Sequence, residues 1–116
     1  LIDYLTIIEK ERLIEKCKRD LVLKEIVEYL HTACDNDILI FGSAVESTKK
    51  ANDIDVLVVG KFRKENLKFL EDKLNIKFHI INVKSLNELG KALKKEIADK
   101  HLIIQGSERL IKWLID

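Results

Sequence analysis

The chain has 116 residues, of which 47% are hydrophobic, and this length and apolar content favour one globular domain over a disordered chain. Its 21 basic and 20 acidic residues leave a formal charge of +1, which is not the strongly basic balance of a dedicated nucleic-acid-binding module. There is no membrane-length apolar run, no signal-peptide layout and no cysteine spacing typical of zinc or redox sites, so we expect a cytoplasmic protein that does not enter a membrane.

The first third of the chain carries apolar side chains at helical spacing, which predicts one helix over 2–18 and a second over 21–33. We place a boundary between these two helices, after residue 20. Residues 1–20 are expected to form an N-terminal helix whose apolar side either packs on the core or faces a partner, and residues 21–116 are expected to form the main domain.

Two strands are predicted on either side of a polar loop, over 38–41 and over 53–59. The first strand ends at Gly42 and Ser43, where a helical turn is expected, and the second begins with Asp53 and Asp55. Because side chains alternate across a strand, the two carboxylates are expected on one face. Such carboxylates hold divalent cations in phosphate-transfer sites, and a glycine lets the backbone approach a phosphate. We therefore assign Asp53 and Asp55 as candidate Mg²⁺ ligands and catalytic residues, and Gly42 and Ser43 as candidate nucleotide-binding residues.

The second half of the chain continues the alternation of helices and strands. The predicted elements are a helix over 63–74, a strand over 76–83, a helix over 86–99, a strand or extended return over 101–105 and a last helix after Gly106. Ser85 and Glu88 have the spacing of a capping box, which marks the start of the helix over 86–99. The whole pattern predicts an α/β or α+β fold, with a small mixed sheet of three to four strands and helices mainly on one side.

These residues resemble the nucleotidyltransferase superfamily of the DNA polymerase beta type, especially its minimal bacterial and archaeal members. The superfamily pattern is an apolar strand, Gly-Ser, a short helix, an acid-apolar-acid strand and a third acid on a later strand. Phe41-Gly-Ser and Asp53-Ile-Asp match its first parts in order and type. The resemblance implies Mg²⁺-dependent transfer of an NMP from an NTP, with ATP as the first choice, to a hydroxyl acceptor. It also implies a helical protein partner, in some cases within a toxin–antitoxin system, or a homodimer.

Two departures from this pattern bear on activity. Ala44 stands where many members have an arginine or a tyrosine after Gly-Ser, and the strand expected to carry the third acid offers Lys77 and His79 instead. An ammonium group beside two carboxylates opposes cation binding, whereas an imidazole or Glu46 offers an alternative base. The missing acid therefore leaves open a second function, a non-catalytic module that binds nucleotide or a protein partner in an antitoxin-like or regulatory role.

Three features also have purely structural interpretations. Asp53 and Asp55 form a solvated strand edge if they bind no cation, and His79 is interpreted first as a core or partly buried histidine held by a hydrogen bond. A basic patch follows the acid-apolar-acid strand and consists of Lys61, Arg63, Lys64 and Lys68. It is interpreted first as a solvated helix face, and otherwise as a contact for a triphosphate or a nucleic-acid backbone.

Overall fold

Four strands form one mixed sheet in a computed structural model that describes residues 1–116. The elements in chain order are α1 Ile2–Arg19, α2 Leu21–Ala33, β1 Asp37–Phe41, β2 Ile54–Val59, α3 Leu67–Leu74, β3 Phe78–Val83, α4 Lys91–Asp99, β4 His101–Gln105 and α5 Ser107–Ile115. The strand order is β3-β2-β1-β4, with β1 antiparallel to both β2 and β4, and with β2 parallel to β3. The predicted fold class is confirmed, and the segment 101–105 is the fourth strand.

Helices cover both faces of this sheet, which corrects the expectation that they lie mainly on one side. All five residues of β1 are buried. Ile38 and Ile40 pack in a cluster with α2 and α3, whereas Leu39 and Phe41 pack in a second cluster with α4 and α5. A strand whose side chains are all buried needs cover on both faces, because its side chains alternate between them.

Two predicted helices begin later than expected. The capping box of Ser85 and Glu88 is present, but it closes a short 3-10 turn over Leu86–Glu88, and α4 begins only after Gly90. Gly90 has an extended backbone and therefore interrupts the helical hydrogen bonds. The helix predicted over 63–74 begins at Leu67, because Asn66 before it has a left-handed backbone with φ of 69°.

A buried polar cluster ties α1 to the rest of the fold. Glu9 is only 8% exposed, accepts hydrogen bonds of 2.9 and 3.0 Å from Arg12 and lies 3.2 Å from His101 on β4. The inner side of α1 thus belongs to the core, while Tyr4 and Ile14 stay exposed, and a partner-facing role for the helix stays a prediction. Neither α1 nor any shorter helix has both the length and the hydropathy that a membrane span requires.

Candidate functional site

The structure brings Gly42 and Asp55 together at one end of the sheet. Phe41, the last residue of β1, pairs with Asp55 on β2, and Gly42 follows with a left-handed φ of 77°. A Cβ atom at Gly42 would lie 2.8 Å from Oδ2 of Asp55, which is closer than a carbon atom tolerates. Glycine is therefore favoured at this position for two reasons: it adopts the left-handed backbone without strain, and it has no Cβ atom to meet the carboxylate.

Ser43 lies in a 3-10 turn over Gly42–Val45 that leads the chain away from the sheet. Its carbonyl oxygen accepts hydrogen bonds from the amides of Glu46 and Ser47 at 3.2 and 3.4 Å. Its side chain is exposed, so the hydroxyl is accessible from solvent. The turn predicted after β1 is present, although it is only four residues long.

The two candidate acids differ in their surroundings. Asp55 is the second residue of β2, and its side chain is 26% exposed. Asp53 is exposed and lies in the bend before β2, not within the strand as predicted. Ile54 between them is buried in the cluster with α2 and α3, so Asp55 projects to the other face.

The side chains at this end of the sheet include carboxylates of the type that Mg²⁺ uses. No group of three or more His, Cys, Asp or Glu side chains is arranged as a closed metal centre. Mg²⁺ does not need one, because it is commonly held by one or two carboxylates together with substrate phosphates and water. Asp55, with Asp53 two residues earlier in the exposed bend, supplies side chains of this type at this end of the sheet.

His79 occupies the place opposite Asp55 on the neighbouring strand. The parallel register of β2 and β3 pairs the two residues, and Nδ1 of His79 lies 3.0 Å from Oδ1 of Asp55. The imidazole is 64% exposed, so its interpretation as a core histidine is wrong, although the expected hydrogen bond is present. Lys77 precedes β3, where its carbonyl accepts a 2.8 Å hydrogen bond from the amide of Ile54 and its side chain is exposed. The neighbour of Asp55 is therefore an imidazole and not an ammonium group.

Glu46 does not supply the missing third carboxylate. Its Oε1 lies 2.8 Å from Nζ of Lys100, and this hydrogen bond holds the pKa of Glu46 below its ordinary value. Lys100 precedes β4, so the pair lies on the β4 side of β1, whereas Asp55 lies on the β2 side.

The predicted basic patch lies at the opposite end of β2. Gly60, which precedes it, is five residues beyond Asp55, or about 17 Å at roughly 3.3 Å per residue. Arg63 forms a salt bridge of 3.1 Å with Asp35, and Lys68 forms one with Asp72 on the same helix. The structural interpretation of these residues is therefore favoured, and the patch is not beside the candidate site.

A cleft of about 480 Å³ on another side of the Gly42–Val45 turn was not indicated by the sequence. Lys16 and Arg19 at the end of α1 line it together with Lys49 and the segment 44–47. These cationic side chains come from distant parts of the chain, so no local pattern predicts that they meet. Asp53 and Asp55 do not line this cleft.

Comparison with known proteins gives one family and one fold. The sequence model of the family described as nucleotidyltransferase domain matches residues 21–105. No curated protein matches the chain.

Three solved structures resemble this fold. A toxin–antitoxin complex with AMP-PNP is 19% identical with a TM-score of 0.54, and 79% of this chain and 82% of that chain are covered. A mutant of the toxin–antitoxin pair MntA–HpeT, with two aspartates changed to glutamate, is 17% identical with a TM-score of 0.54 and the same coverages of 79% and 82%. A structure of the tri-AMPylated HEPN toxin of Shewanella oneidensis in complex with MNT antitoxin is 17% identical with a TM-score of 0.53, and 81% of this chain and 77% of that chain are covered. At these identities the likeness concerns the fold alone.

Proposed function

The chain belongs to the nucleotidyltransferase domain family, and from this premise we propose that it is a Mg²⁺-dependent nucleotidyltransferase that moves an NMP from an NTP to a hydroxyl acceptor. The observation that carries the proposal is the close approach of Gly42 to the carboxylate of Asp55, with Asp53 exposed two residues earlier. This arrangement supports the proposal, because a backbone segment able to approach phosphates lies beside a carboxylate of the type that binds Mg²⁺.

Each residue has a defined role in this proposal. Asp53 and Asp55 hold Mg²⁺ together with phosphate oxygens, and the cation offsets the negative charge of the phosphates. Gly42 admits the phosphate chain to the backbone, and the hydroxyl of Ser43 donates a hydrogen bond to a phosphate oxygen. The acceptor hydroxyl then gives its proton to water as its oxygen forms a bond to the α-phosphorus, the bond from that phosphorus to the bridging oxygen breaks, and pyrophosphate leaves. Most of the rate enhancement comes from holding these groups in line.

We further propose ATP as the donor and a hydroxyl group of a protein partner as the acceptor. The support is indirect and comes from proteins of similar fold, one in complex with AMP-PNP and another containing a tri-AMPylated toxin. The position of Asp53 suits a large acceptor, because its side chain is exposed to solvent in the bend before β2. The exposed apolar side chains of α1, among them Tyr4 and Ile14, offer a surface for such a partner or for a second copy of the chain.

One observation favours a second candidate function, a non-catalytic module of the same fold. His79 stands opposite Asp55, where a third carboxylate would complete the acidic set of the superfamily. A chain without that acid would still bind nucleotide or a protein partner, in an antitoxin-like or regulatory role, and would transfer nothing.

Calorimetric titration with AMP-PNP, with and without Mg²⁺, tests the site directly. We expect Mg²⁺-dependent binding that is lost in the double variant Asp53→Asn with Asp55→Asn, since the amides do not hold the cation. The double variant should stay folded, because Asp53 is exposed, Asp55 is partly exposed, and replacing two like charges by amides of the same shape costs little stability. Asp72→Asn, which removes an exposed acid on α3, is the matched control and should bind as the unmodified protein does. Equal affinity in the double variant would reject the assigned site.

Transfer is tested separately with ATP labelled at the α-phosphate and a mixture of cellular proteins as acceptors. Labelling of an acceptor protein that occurs only when the chain is present, and only when Asp55 is intact, supports the enzyme. Mg²⁺-dependent nucleotide binding without any labelling supports the non-catalytic module.

A further inference from the structure

The cleft that Lys16, Arg19 and Lys49 line has no role in the proposed transfer, and we call it the cationic cleft. It lies between the end of α1, the start of α2 and the segment 44–49. Its volume of about 480 Å³ is within the usual range of ligand sites. The 3-10 turn that contains Ser43 forms part of its wall, so a molecule bound here lies beside the candidate site.

The two carboxylates that line the cationic cleft are already bound within the fold. Asp20 accepts hydrogen bonds from the amide of Leu23 at 3.0 Å and from the hydroxyl and the amide of Thr48 at 2.6 and 3.3 Å. Thr48 is only 4% exposed, so these bonds hold the loop before β2 against the start of α2. Glu46 forms a salt bridge of 2.8 Å with Lys100. Both carboxylates are therefore satisfied without the cations of the cleft.

The ammonium groups of Lys16 and Lys49 have no comparable partner. Lys16 is half-buried and Lys49 is exposed, and neither forms a salt bridge. Arg19 lies 3.8 Å from Glu15, but both side chains are largely exposed, and such pairs are weak. Because one lining carboxylate is balanced by a lysine that does not line the cleft, the cleft keeps an excess of positive charge, although the chain as a whole has a formal charge of only +1.

The rest of the lining favours a peptide over a nucleic acid. Residues 21–23 and 44–45 contribute apolar side chains, and Leu21 is 73% exposed. No aromatic side chain lines the cleft, whereas proteins bind single-stranded nucleic acids largely by stacking the bases on aromatic rings. A peptide segment with carboxylates for the cations and apolar side chains for the apolar lining is complementary to the cleft in both respects.

We propose that the cationic cleft is a docking site for a short segment of a protein partner that has acidic and apolar side chains. The inference rests on the proposed function in one respect, because that partner is the protein whose hydroxyl group accepts the NMP. It goes further by assigning the chemistry of the partner and the place where it binds, beside the turn that contains Ser43. Docking at this place raises the effective concentration of the acceptor hydroxyl near the bound nucleotide.

Fluorescence anisotropy tests the docking site with a labelled peptide of three Glu-Glu-Leu repeats as the probe. Peptides of Gln-Gln-Leu repeats and of Glu-Glu-Ser repeats test the carboxylates and the apolar side chains separately. An oligouridylate of the same length and inorganic tripolyphosphate test whether phosphate ligands bind in the same place. These measurements contain neither Mg²⁺ nor nucleotide, so they are independent of the titration with AMP-PNP.

The full chain is compared with the variants Lys16→Gln with Lys49→Gln, Leu21→Ser, and Lys91→Gln with Lys95→Gln. The last is the matched control, because it removes two exposed lysines of α4 that do not line the cleft. We expect the Glu-Glu-Leu peptide to bind at least about fivefold more weakly to the first variant, about threefold more weakly to the second and equally to the control. Added salt should weaken binding to the unmodified chain, because it screens the charges. Far-ultraviolet circular dichroism verifies that each variant is folded.

Three results would overturn the inference: no binding of the Glu-Glu-Leu peptide, equal binding of all three peptides, or equal affinity in Lys16→Gln with Lys49→Gln. Tighter binding of oligouridylate or tripolyphosphate that is lost in that variant would also overturn it and would identify the cleft as a phosphate-binding surface. Any of these results leaves the proposed function intact as long as AMP-PNP binding requires Asp53 and Asp55. If the peptide binds as expected but AMP-PNP does not bind, the proposed function fails and the cleft remains the docking site of a non-catalytic module.

Discussion

Nε2 of His101 on β4 lies 3.2 Å from Oε2 of Glu9 on α1, and Nδ1 of the same ring lies 2.9 Å from the carbonyl oxygen of Ile97. The hydrogen bond to Glu9 raises the pKa of His101 above its ordinary value, although burial opposes the shift. Burial would raise the pKa of Glu9, but its hydrogen bond to His101 and the charges of His101 and Arg12 outweigh that effect and lower it. The pair therefore joins the first helix to the last strand with both groups charged in mildly acidic solution.

The first prediction is a pH-dependent contribution of this pair to stability. The raised pKa of His101 gives a contribution that is complete below its ordinary value of 6.5 and is lost as the pH rises through the folded value. The lowered pKa of Glu9 gives a contribution that is complete above 4.5 and is lost as the pH falls through the folded value. Urea unfolding of the unmodified protein and of Glu9→Gln should differ by about 1–3 kcal/mol between these limits, and by less at pH 3 and at pH 9. If the two proteins differed in unfolding free energy by the same amount from pH 3 to pH 9, the ion pair would be contradicted.

The second prediction concerns the glycine of the site. Gly42→Ala should lower the free energy of unfolding by about 1–3 kcal/mol, because the residue has a left-handed backbone and the new methyl group would meet the carboxylate of Asp55. It should also weaken AMP-PNP binding, since that carboxylate has to move. Gly90→Ala is the control, because its φ of −79° suits alanine and nothing lies within 4 Å of the added atom. Equal effects of the two substitutions in chemical denaturation would refute the argument.

The third prediction concerns Asp37, which is only 3% exposed at the start of β1. Its carboxylate accepts hydrogen bonds from Arg109 at 2.7, 3.0 and 3.1 Å. Arg109→Met should lower the free energy of unfolding by about 1–3 kcal/mol, because it leaves a buried carboxylate without its charged partner. Lys112→Met, which breaks an exposed pair one turn later on α5, should change it by less than about 0.5 kcal/mol. Thermal unfolding of the two variants measures the contrast.

The fourth prediction is weak NMP transfer by the unmodified chain in Mg²⁺, because no third carboxylate stands beside Asp55. His79→Asp supplies one at the register position opposite Asp55 and should raise Mg²⁺-dependent transfer at least about tenfold. Transfer of α-phosphate label to an acceptor protein measures the effect. Robust transfer by the unmodified chain that persists in His79→Ala and in Lys77→Ala would mean that a different group completes the site.

The sequence alone predicted those elements that a short stretch of residues specifies by its own pattern. The apolar run before Gly42 and the acid-apolar-acid segment predicted two strands and the turn between them, and the structure has both strands. The approach of Gly42 to Asp55 follows from the antiparallel pairing of the two strands, which returns the start of the second strand to the end of the first. Their roles in binding remain predictions.

Only the tertiary structure shows which side chains are the neighbours of the candidate site residues. Whether Lys77 or His79 is opposite Asp55 depends on the register of β2 and β3, because the two residues are on the same face of their strand and a shift of two residues would exchange one for the other. That register is set by packing of the whole sheet between two helical layers, which no local pattern specifies. The pairing of Glu9 with His101 joins residues near opposite ends of the chain, so it too exists only once the core has formed. Local sequence signals thus determined the elements and the candidate acids, whereas long-range packing determined the charge and the donor chemistry around them.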